Sequence, residues 1–397
     1  MKARLLVLPL VIAAILSVVA IPIAAEWTYD LEVSVPYPIY TYRYDNGYVS
    51  VAAFDASALE AYVYVYDVNL TQLVSCSLAV NGGPTAHAYG DGLFVLATAS
   101  GASDEDIFFI NASDCSILSN YTFSPAGEGY VQTMFIVIAG GYVYQLQYDS
   151  NLSTHFLQIY DSTGGVVKAY DLGSAAVLGD VEAGDYLLVW NGTSYVSIID
   201  ATAGDIDVVD TVELGLSDIA YLTGWYDASE NAIYIAFSNS TGTYLVKHII
   251  GTGTEWIVTL EDGVTRAVMY VGPATEGVYV VTADNYGYRV IDPSTVKKEY
   301  IPANAIGHKL GSEYLFSVDT SNNIVYRWYL ETAITETTTV TETVTQTVTE
   351  VQYLTETETE TIPVTTTVQG PYTSTDLVIV GLICLLLGAA VAYLARR

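Results

Sequence analysis

Between residues 47 and 313 the chain repeats itself. Short runs of alternating side-chain character begin at Gly47 (GYVSVAAF), Gly92 (GLFVLATA), Gly141 (GYVYQLQY), Asp185 (DYLLVW), Asn231 (NAIYIAF), Gly277 (GVYVVTA) and Glu313 (EYLFSV), at offsets of 45, 49, 44, 46, 46 and 36 residues. Alternation with a period of two belongs to a strand, and no helical period persists over a long window. Gly, Asn and Asp punctuate the runs, as turns require. A unit this small cannot bury its apolar face alone, so a repeat of about 45 residues must stack against its neighbours.

Each run is followed by a third strand that often ends in a hydrophobic residue plus Asp or Asn. Examples are Tyr66-Asp67, Ile110-Asn111, Tyr160-Asp161, Ile199-Asp200 and Ile291-Asp292. An edge strand comes next, such as VVKAY from Val166. Seven units of four strands predict an all-β fold, a seven-bladed β-propeller over residues 26–331. The last unit stops at Trp328–Leu330 without a fourth strand, whereas the segment WTYDLEVS from Trp27 precedes the first repeat and has no unit of its own. The N-terminal strand is therefore expected to close the seventh blade and to cover edges that would otherwise invite aggregation. Two stacked β-sandwiches are the rival architecture, but they need neither an orphan strand nor a missing one.

The strand ends and turns IYDSTGGVV (Ile159 to Val167), IIDATAGDI (Ile198 to Ile206) and VIDPSTVKK (Val290 to Lys298) resemble the hydrophobic-Asp-x-x-Thr-Gly turn of quinoprotein-like and YVTN-type propellers. In such a turn Asp caps backbone N–H groups and Gly takes positive φ. Quinoprotein dehydrogenases carry a regular Trp after this turn. Here Lys168, Val208 and Tyr300 fall near that place, which speaks against a quinone. The whole layout resembles surface proteins of thermophilic archaea.

Both ends read as membrane signals. Lys2 and Arg4 precede an apolar run from Leu5 to Ala25, with no acid before Glu26. This is the pattern of a secretory leader over residues 1–25; an uncleaved anchor is the alternative. Leu377 to Ala395 carries no charge, and 19 residues at ~1.5 Å each cover ~28 Å, one hydrocarbon core. Arg396-Arg397 follow as a two-residue cytoplasmic tail, which argues against a GPI signal. Residues 332–376 are dominated by Thr with Glu and Val and read as an extended, often O-glycosylated stalk. A coiled coil through Val340, Val344, Val348, Val351 and Leu354 fits a heptad only in part. The expected localisation is a cell membrane, with a large domain facing outward.

Lys plus Arg total 13 against 44 Asp plus Glu, a net charge of −31. Without the four basic residues of the membrane signals, nine basic residues face 44 acidic ones, a net −35. So acidic a domain excludes nucleic acid as a partner. It is soluble by charge alone, and function in an acidic medium is the sharper reading.

The candidate sites follow from that frame. Cys76 and Cys115 fall in neighbouring repeats and can pair in an oxidising compartment; Cys384 lies in the span. Six sequons, at Asn69, Asn111, Asn120, Asn151, Asn191 and Asn239, suit a glycosylated surface. Asn151, Asn191 and Asn239 fall in the hairpins between second and third strands, so glycans would crowd one half of the face that commonly carries a propeller's site. On the innermost strands of the other half stand Arg43, His87, Arg266 and His308. A cationic sector there would suit a carboxylate or a sulfated glycan. Asp104, Glu105 and Asp106 are read as one loop with hard oxygens for a structural Ca²⁺, against a solvated acidic loop. No other cofactor is expected. No zinc spacing, GxSxG, GxxxxGK[ST] or HExxH occurs. The expected function is a surface-anchored propeller for binding, adhesion or envelope structure, with envelope glycoproteins or extracellular glycans as partners. The alternative is a membrane-tethered extracellular enzyme, a glycan lyase or hydrolase or a quinone-dependent dehydrogenase, on the same scaffold.

Overall fold

The computed structural model describes residues 26–331 except 46, 101–102, 126, 216–217, 275–276, 284–285, 301–307 and 312–313, together with 336–344 and 360–368. In chain order the strands are β1 (Glu26–Ser34), β2 (Ile39–Asp45), β3 (Tyr48–Asp55), β4 (Glu60–Tyr66), β5 (Gln72–Ala79), β6 (Pro84–Gly90), β7 (Leu93–Ser100), β8 (Asp104–Asn111), β9 (Ile117–Phe123) and β10 (Val131–Ala139). They continue as β11 (Tyr142–Asp149), β12 (Thr154–Asp161), β13 (Val166–Gly173), β14 (Val177–Glu182), β15 (Tyr186–Trp190), β16 (Tyr195–Asp200), β17 (Asp207–Glu213), β18 (Tyr221–Asp227), β19 (Ala232–Asn239), β20 (Gly242–Ile249) and β21 (Gly253–Asp262). The domain ends with β22 (Val268–Pro273), β23 (Val278–Thr282), β24 (Tyr286–Asp292), β25 (Thr295–Tyr300), β26 (His308–Gly311), β27 (Tyr314–Asp319) and β28 (Ile324–Glu331).

The second strand of each repeat starts one residue after the position read from the sequence. The preceding residue takes positive φ at Gly47, Gly92, Gly141, Gly277 and Asn231, the conformation that a tight hairpin demands and that Gly and Asn tolerate best. Where an Asp or Asn closes the third strand, it caps the next turn. Asp67 Oδ1 accepts from Asn69 N at 2.8 Å, Asp161 Oδ1 from Thr163 N at 2.8 Å and Asp200 Oδ1 from Thr202 N at 2.8 Å. These bonds, with the Thr163 hydroxyl first, hold the Asp161 carboxyl below its ordinary range.

The strands form an all-β propeller. Its sheets are not the seven separate ones expected. Five are separate four-stranded sheets, and one has eight strands in the order β17-β16-β15-β14-β18-β19-β20-β21. The join is a parallel pairing of β14 with β18, Val181 opposite Gly224 and Glu182 opposite Trp225. Two glycines permit it. A Cβ on Gly179 would stand 2.8 Å from the Leu222 carbonyl oxygen, and one on Gly224 would stand 3.0 Å from Leu188 Cδ1.

Successive sheets pack face to face through buried clusters. Phe94 and Phe108 meet Val63 and Leu78, and Tyr160 meets Phe109. The last sheet packs on the first, Phe316, Val318 and Val325 against Tyr44, Val51 and Tyr66, so the ring closes on itself. The order of the last sheet is β1-β28-β27-β26, with the N-terminal strand on its outside. Arg327 secures that closure. Its Nε and Nη2 reach Asp30 Oδ2 at 2.6 and 2.5 Å, and Nη1 donates to Val68 O and Asn69 Oδ1 at 2.5 and 3.0 Å. Cys76 on β5 is disulfide-bonded to Cys115, which precedes β9, tying the outer edges of the first two sheets together.

Within the Thr-rich tract, β29 (Glu336–Val344) and β30 (Glu360–Val368) pair antiparallel, from Glu336 opposite Val368 to Val344 opposite Glu360. The sequence reading had an unpaired extension, with a coiled coil through Val340 and Val344 as its rival. Alternating β-branched Thr and Val favour the strand instead. The leader at 1–25 and the apolar stretch at 377–395 lie outside the described residues, among which no helix is long and apolar enough to cross a membrane.

Candidate binding site in the central channel

The innermost strands line a channel, and an ion pair divides it. Arg43 on β2 donates through Nη2 to Asp180 on β14 at 2.9 Å, with each side chain only 13% exposed. Arg43 Nη1 also donates to the Ile136 carbonyl on β10, and its guanidinium lies 4.5 Å from the centroid of the Phe135 ring. Asp180 receives a further bond from Thr223 Oγ1 at 3.1 Å. Four inner strands thus meet at one partly buried salt bridge.

On the side of the second–third hairpins lies a chamber of about 210 Å³ with a mainly apolar wall. Tyr42, Met134, Phe135, Met269 and Phe316 are among its lining residues, and Arg43 lines both this chamber and the one beyond. Its construction rests on a recurrent irregularity. The pairing slips by one residue at Tyr40 in β2, Thr85 in β6, Met134 in β10 and Met269 in β22. A bulge re-aims the extra side chain, and three of these four residues line the chamber.

His87 sits in the same wall. Thr41 Oγ1 lies 2.6 Å from its Nδ1 and Ser50 Oγ 2.9 Å from its Nε2, with the ring stacked on Phe94. Burial, and then the Arg43 charge, hold the imidazole down to about 3, so it is neutral. Burial alone pushes the Tyr42 phenol up to about 12, leaving it a neutral donor at the chamber wall.

Beyond the salt bridge, a second chamber of about 290 Å³ opens toward the opposite face. Its lining includes Asp91, Asp180, Glu182 and Asp185, with Arg43 as the cation. Tyr44 lines the first chamber, and burial, then Glu182, push its phenol up to about 12.

Of the four residues expected to make a cationic sector, Arg43 and His87 share the upper chamber. Arg266 does not join them. It precedes β22, chelates Glu261 through Nε at 2.5 Å and Nη2 at 2.9 Å, and covers the Tyr286 ring. The side chain of His308 lies outside the described residues; its backbone opens β26 opposite Ser317. The described sector is not cationic, because an acidic domain supplies Arg43 and Arg266 with carboxylates and burial keeps His87 uncharged.

The loop assignment of the candidate Ca²⁺ ligands is also corrected. Asp104, Glu105 and Asp106 form the start of β8 rather than a loop. Successive strand residues face opposite ways. Glu105 accepts from Thr85 Oγ1 at 2.6 Å and Thr133 Oγ1 at 2.5 Å, whereas Asp106 accepts from Thr122 Oγ1 at 2.6 Å. Burial raises Glu105 against these bonds. Among the described residues no group of three metal-binding side chains converges.

Asn120, Asn151, Asn191 and Asn69 are exposed, and Asn111 is half-buried. Asn239 is fully buried, with Oδ1 accepting from the N–H groups of Thr241 and Gly242 at 2.9 and 3.0 Å, so it offers no room for a glycan. The sequence reading missed Met134, Met269, Phe135 and Asp180. One signal was available: beyond Met1 the chain has two methionines, and both line the chamber.

No family model matches the chain, and no curated protein matches it. Among solved structures it is similar to one titled a complex of KlAtg21 with the coiled coil of AgAtg16, at 10% identity and a TM-score of 0.51, covering 74% of this chain and 95% of that one. It is also similar to BBS1N in complex with ARL6DN, soaked with mercury, at 10% identity and a TM-score of 0.47, covering 77% and 97%. The first likeness supports the propeller fold and nothing finer.

Proposed function

We propose that this chain is a binding protein whose ligand enters the upper end of the propeller channel. The observation that carries the reading is the chamber itself. It is concave, mainly apolar, furnished by bulges on three inner strands and bounded by a partly buried ion pair. Binding sites have this character: an apolar hollow with a few fixed polar groups.

We read the eight-stranded sheet as two blades fused at their inner strands, which makes the ring seven-bladed. The domain is placed outside the cell and held at its membrane by the C-terminal apolar stretch. Support comes from the leader-like and span-like sequences and from the Cys76–Cys115 disulfide, since such bonds persist in oxidising compartments. Envelope glycoproteins and extracellular glycans are the partners this location offers, and exposed sequons suit it.

The test has two arms. Protease shaving of intact cells should release peptides from residues 26–331. Full-length protein should be stabilised by at least one member of a glycan and metabolite panel, because a ligand raises stability by RT ln(1 + [L]/Kd). Turnover of a panel member would replace the binder with the enzyme reading.

A further inference from the structure

We propose that the upper chamber is a receptor for a small uncharged aromatic ring. This deepens the binding reading by naming the ligand class.

Size comes first. An enclosed apolar cavity of ~150 Å³ takes up benzene, and this chamber of about 210 Å³, open at a mouth where Met134 is 50% exposed, has room for a substituted or fused ring with one edge left in solvent. Three features then favour an aromatic body over an aliphatic one. The thioethers of Met134 and Met269 are polarizable and favour ring edges. The Arg43 guanidinium attracts the face of a π-system, as it does the Phe135 ring already. The walls contributed by Phe135, Phe316 and Tyr42 supply ring-on-ring contacts.

Charge is excluded by the same residues. A carboxylate would have to displace Asp180 from Arg43, where a 2.9 Å bond and the second donor Thr223 hold it. An ammonium group would meet Arg43 at the wall with a neutral His87 beside it. Either ion would lose its water in a chamber of mostly apolar surface. A single hydroxyl or ring N–H is tolerated, because Tyr42 is a lining residue with a neutral phenol, whereas the Thr41 and Thr85 hydroxyls are already bonded to His87 and Glu105.

The bulges add an independent argument. A regular ladder would have kept the alternation of β6, β10 and β22. Instead each strand spends one unpaired residue at the same level and presents Thr85, Met134 or Met269 to the cavity. Such irregularities cost ladder bonds and accumulate next to sites.

The experiment is a titration of the full-length protein, labelled with [methyl-¹³C]methionine, with p-cresol, indole, toluene, methylcyclohexane, benzoate and benzylamine. Met134 and Met269 report directly from the chamber. Saturable shifts of both methyl signals with p-cresol, indole and toluene are expected. Methylcyclohexane, benzoate and benzylamine should each bind at least tenfold more weakly than toluene. Met269→Trp should fill the chamber and abolish the shifts, whereas Met269→Leu should retain binding at the Met134 signal. Circular dichroism and the unperturbed melting temperature of both variants verify folding. Absence of saturable shifts with every aromatic probe, or binding of methylcyclohexane or the charged analogues as tight as that of toluene, would overturn the proposal. A glycan or protein partner found elsewhere on the surface would leave these readouts unchanged, so failure here is separable from failure of the broader binding role.

Discussion

Arg327 and Asp30 lie 297 positions apart and form a two-pronged ion pair that fastens the last sheet to the first strand of the domain. The same guanidinium reaches Val68 and Asn69, in the turn after β4. One buried cation therefore holds three segments at the seam of the ring. Removing one partner of a buried pair leaves the other charge without compensation, which costs ~3–5 kcal/mol when burial is complete. Asp30 is partly exposed, so Asp30→Asn should cost less, about 2 kcal/mol, and Arg327→Met somewhat more. Denaturant unfolding would measure both; losses below about 0.5 kcal/mol would show that the seam holds without the pair.

The disulfide closes a loop of 39 residues between the outer edges of the first two sheets. Chain-entropy arguments give about 4 kcal/mol for a loop of that length. The Cys76→Ser, Cys115→Ser double variant should therefore melt well below the parent, and reduction of the parent should reproduce the shift. Identical melting temperatures with and without reductant would show that the bond contributes nothing.

His87 makes stability pH-dependent with a definite sign. Its folded-state pKa is near 3 against an ordinary 6.5, so the unfolded chain takes up a proton that the fold refuses. Its contribution falls as pH drops from about 6.5 toward 3, with a limiting slope of about 1.4 kcal/mol per pH unit for one proton. Glu261 adds to the loss at lower pH. Hydrogen bonds from Arg266, and further ones from Tyr288 and Lys298, hold it near 2, so its stabilisation is complete above 4.5 and vanishes as pH falls through 2. Glu105, raised by burial, acts in the opposite direction. His87→Gln should flatten the stability profile between pH 6 and 4, measured by urea unfolding at each pH.

Burial sorts the sequons. Asn120, Asn151 and Asn191 stand in the solvent, whereas Asn239 is sealed beneath its own turn. Glycopeptide mass spectrometry of protein from its own cells should find Asn239 unmodified and carbohydrate drawn from the exposed sites. Stoichiometric modification at Asn239 would require a different arrangement of the β19–β20 hairpin.

The repeat was legible because one structural demand recurs with one chemical answer. Each hairpin needs a left-handed residue, and Gly47, Gly92, Gly141, Gly277 and Asn231 advertise it. Most third strands end in a cap, and Asp67, Asn111, Asp161, Asp200 and Asp292 provide it. The site was far less legible. A bulge at Met134 or Met269 shifts alternation by one residue within strands too short to display the slip. Asp180 and Arg43 are 137 residues apart and meet only when the ring closes. Asp104, Glu105 and Asp106 misled for a related reason, since adjacent acids suggest convergence until a strand turns them to opposite faces. The fusion of β14 with β18 depends on bare backbone at Gly179 and Gly224, and a lone glycine inside a strand does not announce its neighbour.

The chain leaves the domain from β28, and β28 is not an edge: β27 flanks it on one side and β1 on the other. Tension applied beyond Glu331 is consequently shared by two hydrogen-bond ladders and by the Arg327 anchor. Peeling such a strand first requires stripping the one outside it. A domain loaded at that point would resist peeling better than one loaded at a sheet margin, and clipping away residues 26–34 should remove both the outer ladder and the Asp30 partner of Arg327.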